Sequence, residues 1–301
     1  GPFAHENLSV FLIQKDHAPE GDLNCLILEE ALKAGTLRVA EKSGGAEVNK
    51  LEVENTGERP VYLQAGDTVK GGQQDRTIGV DFILRPKSGK TTIDAFCVEP
   101  GRWGTRDVTL LTAATFTLSE APLASKEQKL AVRLTKSQSQ VWTAGGRING
   151  LVQSEPQVST LSASYVLTIE DPEVRKKVAQ YVNTLLDVVK SRSNLVGMAF
   201  AVNGEPDTIE IYAASGLFLK LWPKLLRSAA IEALTRKAPA GSPKPSQVSD
   251  MANLLEEAGK AEGRTETLPG NIRVKVYDGK TTALFDTEKD GELLHRQIIR
   301  K

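Results

Sequence analysis

From Val61 to Leu84 the chain reads VYLQAGDTVKGGQQDRTIGVDFIL, and the alternation inside this stretch decides how its surroundings fold. Val61, Leu63 and Ala65 share one parity, and Ile78, Val80, Phe82 and Leu84 share another run of it. Side chains of an extended backbone alternate between faces, so this is the pattern of half-buried strands. Gly66-Asp67 and Gly71-Gly72 interrupt it as turns. Working outward, the same period continues through Leu37 and Val39, through Leu51 and Val53, and through Ile93, Ala95 and Cys97. Ser43-Gly44-Gly45, Asn55-Thr56-Gly57 and Lys87-Ser88-Gly89-Lys90 punctuate it. A succession of strands at roughly ten-residue spacing predicts an antiparallel, β-sandwich-like domain.

Before this run, Leu8 to Ile13 reads as a strand, and Leu26 to Gly35 as a two-turn helix stopped by its glycine. After it, Gly104 to Leu123 has no clean period and is expected to be loop. A helix is predicted from Lys126 to Trp142, ending near Gly145-Gly146, and a serine-rich loop from Gln153 to Ser164. Asp171-Pro172-Glu173 combines a capping acid, a first-turn proline and a second acid that complements the helix dipole. The helix it opens places Val174, Val178, Tyr181, Val182, Leu185, Val188 and Val189 on one face.

Val196 to Ala213 reads as a hairpin through Asn203-Gly204, with a turn longer than two residues. Leu217 to Leu234 is a helix with a polar stripe of Lys220, Lys224 and Arg227, and Pro223 predicts a kink or break in it. Ala238 to Ser246 is proline-rich linker, followed by an acidic helix near 250–258 and three strands within 272–299. The fold class is therefore α+β, with a β-rich domain at 3–123 and an α+β domain at 124–301. In the second, helices near 126–142, 172–190, 217–235 and 250–258 pack on one face of a smaller antiparallel sheet.

Composition narrows the function. The 301 residues contain 38 Lys+Arg and 38 Asp+Glu, a formal net charge of zero. That argues against a broad surface for nucleic acid. No apolar run reaches the ~18 residues of a membrane-spanning helix. The two cysteines, Cys25 and Cys97, lack metal or disulfide-framework spacing, and His5, His17 and His295 do not cluster. No metal or cofactor is therefore expected. Gly1-Pro2 reads as a cleavage scar, which leaves cytoplasmic and exported locations equally open.

Two segments carry chemistry. Gly71-Gly72-Gln73-Gln74-Asp75-Arg76 lacks the spacing of a nucleotide-binding P-loop and precedes a strand. Its consecutive amides and Arg76 instead suit an anion nest, or else form a hairpin tip with an Asp75–Arg76 ion pair. In Cys97-Val98-Glu99-Pro100-Gly101-Arg102-Trp103, parity places Cys97 and Glu99 opposite the core-facing Phe96 and Val98. Arg102 is the nearest cation for Glu99 and Cys97, and Trp103 offers a face for a guanidinium or a planar ligand. Cys97 is expected to be buried and inert.

These segments, with Asn55-Thr56-Gly57, Arg59-Pro60-Val61 and the later Trp222-Pro223-Lys224-Leu225-Leu226-Arg227-Ser228, resemble the ARPP domain, the ARG and Rhodanese-Phosphatase-superfamily-associated Protein domain of bacteria. ARG denotes ADP-ribosylglycohydrolase. The resemblance runs from about Asn7 to Leu234, with the closing sheet expected to be particular to this branch of the family. It implies work near NAD-derived or ADP-ribosylated molecules and assigns no catalytic residue. The expected function is a ligand-binding or accessory domain holding a small anionic, nucleotide-like molecule with Gln74, Arg76, Glu99, Arg102 and Trp103. The alternatives are a hydrolase with Glu99 or Asp75 as general acid or base, and a structural module for a protein partner.

Overall fold

The computed structural model describes residues 1–17, 23–42, 49–101, 116–154, 158, 162–236 and 245–301; the side chains of Glu120 and Ala121 are not described. Sheets and helices both build it, so the class is α+β. The chain forms two compact units, 24–176 and 1–23 together with 177–301. This differs from the boundary expected at 123/124, because the first strands pair with strands nearly two hundred residues later.

In the unit 24–176, six strands lie in the order Phe116–Leu123, Asp67–Gly71, Arg76–Ile78, Gly89–Cys97, Lys50–Asn55 and Leu37–Glu41, all antiparallel. Inward and outward residues alternate strictly along Lys50–Asn55. Arg76–Ile78 is buried at every position. A second sheet joins Leu26–Ile27, Val61–Leu63 and Phe82–Leu84, and its first pair is parallel, a departure from the all-antiparallel expectation. The predicted helix from Leu26 is split into that strand and the helix Leu28–Lys33; Gly35 at φ 67° does end it.

Two expectations in this unit are corrected by the structure. Phe116–Leu123 is a strand, because its Thr- and Ser-rich sequence is held in register against Asp67–Gly71. Residues 102–115 lie outside the described residues. The helix predicted to stop near Gly145 instead breaks earlier, at Lys136 with φ 49°, after Lys126–Leu130 and a widened turn Ala131–Thr135. The next helix, Gln138–Gln153, then runs straight through Gly145-Gly146. Gly145 is there for packing: a Cβ on it would lie 2.8 Å from Gln128 Nε2. The serine-rich segment lies partly outside the described residues and ends in Ser164, the N-cap of helix Tyr165–Glu170.

The other unit is an eight-stranded antiparallel sheet in the order Phe3–His5, Leu8–Gln14, Leu195–Val202, Glu205–Tyr212, Glu292–Arg300, Thr282–Lys289, Ile272–Asp278 and Gly263–Leu268. It has more strands than either other sheet, and Gly263–Leu268, which precedes the three strands expected within 272–299, is its edge strand. Val202 pairs with Glu205, so Asn203 and Gly204, both at positive φ, form a two-residue turn rather than the longer one predicted. Asp290-Gly291 repeats the device, with Lys289 paired to Glu292.

Helices cover both faces of this sheet, not one. Val248–Ala258 sets Met251, Leu254 and Ala258 against Phe11, Ala199, Ile209 and Ile298. Ser215–Leu234 sets Phe218 against Tyr212, whose parity is opposite to that of Ile209. This second helix is one element in spite of Pro223, which faces solvent. Lys224, expected on a polar stripe, is buried. The proline-rich linker falls largely on residues 237–244, outside the described residues. Pro172–Leu185 begins where its sequence predicts, with Asp171 Oδ1 accepting from the Glu173 amide at 2.9 Å. Among the described residues no helix is long and apolar enough to cross a membrane.

Candidate functional site

The turn that links Asp67–Gly71 to Arg76–Ile78 brings one of the two chemical segments to the other. Arg76 is directly opposite Val69 on one side and Cys97 on the other, so all three project from the same face. The Val98 amide donates to the Asp75 carbonyl at 3.0 Å, tying the turn to the strand end. Gln138 closes that end from above: the Cys97 amide donates to its Oε1 at 2.9 Å, and its Nε2 donates to the Cys97 carbonyl at 2.7 Å.

The Arg76 guanidinium is buried. Nη1 contacts Cys97 Sγ, and Nη2 donates to both Glu41 oxygens at 3.1 and 3.0 Å. The Gln73 amide donates to the same carboxylate at 3.3 Å. Asp75 turns inward, its Oδ1 accepting from the Gly71 amide at 3.1 Å. Gly72 has to be glycine: at φ 55°, a Cβ would stand 2.5 Å from the Phe116 ring and 2.7 Å from Glu41 Oε1. The amides of this turn thus face carboxylates of the chain itself.

Of the predicted site residues, Gln74, Asp75, Arg76 and Glu99 are all buried, within one or two residues of the Arg76–Cys97 pair. Arg102 and Trp103 lie outside the described residues. Cys97 is buried as expected, and Glu99 is buried with it, so both faces of this strand end are covered. Residues 95–99 are buried without exception, because the strand is interior to its sheet and Gln138–Gln153 packs on its end. Arg76 supplies a cation at Cys97 that the sequence did not suggest. Cys25 and Cys97 are both buried, and neither forms a disulfide.

Two charged clusters escaped the sequence reading. Asp81, fully buried in an apolar run, accepts from Tyr62 Oη at 3.1 Å and from the Ala65 amide at 2.9 Å. It also pairs with buried Arg133 at 3.2 Å. The adjacent Gln64 amide donates to Asp67 Oδ2 at 2.8 Å, so two buried acids cap consecutive amides. The signal available was an acid inside Ile78-Gly79-Val80-Asp81-Phe82, a position that needs a partner. In the other unit, Glu210 meets His295 Nε2 at 2.6 Å and Gln297 Nε2 at 2.7 Å, and Tyr212 stacks on His295 with ring centres 4.5 Å apart. Cross-strand register alone brings these four together, and nothing local announces it. Among the described residues no three His, Cys, Asp or Glu side chains gather as a metal site requires.

Residues 1–299 match the family of the ARG and Rhodanese-Phosphatase-superfamily-associated Protein domain, ARPP-1. The chain belongs to the ARPP-1 family. No curated protein and no solved structure matches it. The ARPP-1 match extends past Leu234 to the end of the eight-stranded sheet. The closing strands are thus part of the family domain rather than an addition particular to this branch.

Proposed function

We propose that this ARPP-1 chain is a recognition domain for an oxyanion-bearing ligand of the ADP-ribose or NAD class, received by the Gly71–Arg76 turn. The observation that carries the proposal is the handling of Glu41, whose carboxylate is gripped by two Arg76 hydrogen bonds and the Gln73 amide. The turn holds one oxyanion already, supplied in cis. A phosphate presents the same geometry to a guanidinium fork with greater charge. Glu41 is the exposed partner, its side chain 23% accessible against 2% for Arg76, so an incoming phosphate exchanges with Glu41 from the solvent side. Gln74 lies two residues before Arg76 and Glu99 two residues after its cross-strand partner Cys97, and Arg102 and Trp103 are assigned to a second phosphate and a base by residue type alone.

Burial supports binding over hydrolysis. Asp75 is inaccessible and engaged by the Gly71 amide, and Glu99 is buried too, which poorly suits a proton-shuttling acid or base. A purely structural motif predicts the same burial and differs in one respect, since it takes no ligand. Thermal denaturation with ADP-ribose, NAD, AMP and inorganic phosphate separates the two. A ligand at about 100 times its Kd adds roughly 2.7 kcal/mol, a shift of several degrees; no shift with any of the four at millimolar concentration contradicts the proposal.

A further inference from the structure

Beside helix Val248–Ala258, on the sheet face that it only partly covers, lies a groove of about 710 Å³. Its walls are Phe11, Ile13, Leu195, Ile211, Met251 and Leu255. This volume and lining are those of a small-molecule site, which runs roughly 300–1,000 Å³ and is mainly apolar with few polar groups. Leu255 and Val248, which also line it, are 37% and 64% exposed, two large apolar side chains left in water beside an apolar cleft.

The polar lining is one-sided. Arg192 stands in the groove wall, its guanidinium 5.0 Å over the Phe3 ring and its Nε donating to the Val188 carbonyl at 2.8 Å. Among the described residues this exposed guanidinium makes no ion pair, and no lining residue is an acid. A long apolar wall bordered by Arg192 and Gly1, with Gln14 as a neutral polar member and no acid, complements a molecule with an apolar tail and an anionic head.

From this geometry we infer that the groove binds a straight-chain carboxylate, the tail along Phe11, Ile13 and Leu255 and the head at Arg192. The site belongs to the unit built from 1–23 and 177–301 and does not rest on the anion receptor of the other unit. Aliphatic ligands gain roughly fourfold in affinity per buried methylene, so binding rises from octanoate to dodecanoate. The exposed Arg192 pair adds only a few-fold preference for the carboxylate head.

Calorimetric titration of the intact chain, below micelle-forming concentrations, tests this with octanoate, decanoate and dodecanoate, and with dodecanol and dodecyltrimethylammonium as head-group controls. The expected results are rising affinity with length and a preference of about fivefold for dodecanoate over dodecanol, the cationic amphiphile being weakest. Arg192→Gln abolishes the preference, and Ala252→Trp, at an exposed position of the lining, blocks all three carboxylates with an unchanged melt. Absence of dodecanoate binding overturns the inference, as does binding unaffected by Ala252→Trp or indifferent to the head group. Sedimentation showing a dimer that Ala252→Trp dissociates also overturns it, because the groove's occupant is then a second copy of the chain.

Discussion

At the scale of single residues, the chain spends its charges inside itself. Arg76 and Arg133 are buried cations whose carboxylate partners, Glu41 and Asp81, differ in exposure. A charge taken out of water is stable only while its partner stays, and removing one partner of a buried pair costs 3–5 kcal/mol as a typical magnitude. Asp81→Asn, which keeps the shape and removes the charge paired with buried Arg133, is therefore expected to lower stability by about 3 kcal/mol in urea denaturation. Arg76→Ala should cost less, about 2 kcal/mol, because water reaches Glu41. A change below about 0.5 kcal/mol at Asp81 would contradict the buried pair. Tyr181 supplies a pH dependence. Burial, followed by its hydrogen bond to Glu6 at 2.7 Å, holds its hydroxyl pKa well above the usual tyrosine value. The folded state thus keeps this proton more tightly than the unfolded chain. The associated stability is complete below pH about 10 and is lost as pH rises further. Tyr181→Phe should be less stable near neutrality, and its stability should fall less steeply above pH 10. Equal alkaline slopes for the two proteins would refute that assignment.

At the scale of elements, close approach decides as much as propensity. Gly197 sits mid-strand in Leu195–Val202, and a Cβ there would stand 2.1 Å from the Glu210 carbonyl oxygen and 3.0 Å from the Ile211 Cα. Both are backbone atoms in a paired strand, so nothing flexible can yield. Gly197→Ala is expected to destabilise by several kcal/mol, whereas Gly145→Ala, which meets only the end of Gln128, should cost about 1 kcal/mol or less. Comparable urea midpoints for the two variants would contradict this. The same contrast explains what the sequence made legible. Period two marked the strands of the unit 24–176, and the Asp171-Pro172-Glu173 cap marked its helix start, because both signals are local. The Gln74-Asp75-Arg76 turn and the strand ending in Cys97 were each readable from turn residues and period two, and the register of Arg76 with Cys97 joins them. Glu41 as the partner of Arg76 was not readable, since it comes from a strand whose place is set by non-local contacts. Gly145 looked like a helix stop because its reason for being glycine, the Gln128 side chain, lies on another helix. Phe116–Leu123 looked like loop because its polar residues follow no simple inside-outside rule.

At the scale of the whole molecule, the unit 24–176 is inserted into the sequence of the other, and the ARPP-1 family match embraces both. Leu8–Gln14 pairs with Leu195–Val202, a strand buried at all eight positions. A chain of residues 124–301 leaves that apolar strand as an open edge, the situation that invites aggregation. Such a fragment should aggregate or melt without cooperativity, and a soluble, cooperatively melting one would contradict this division of the chain. The central functional claim is that Glu41 occupies, in cis, the place of a ligand oxyanion. Calorimetric titration of ADP-ribose into the wild type, Glu41→Gln and Arg76→Lys measures it most directly. The account predicts that Glu41→Gln binds several-fold more tightly than wild type, since its internal competitor is neutral, and that Arg76→Lys loses at least tenfold. No binding to any of the three, or weaker binding by a folded Glu41→Gln, would contradict it.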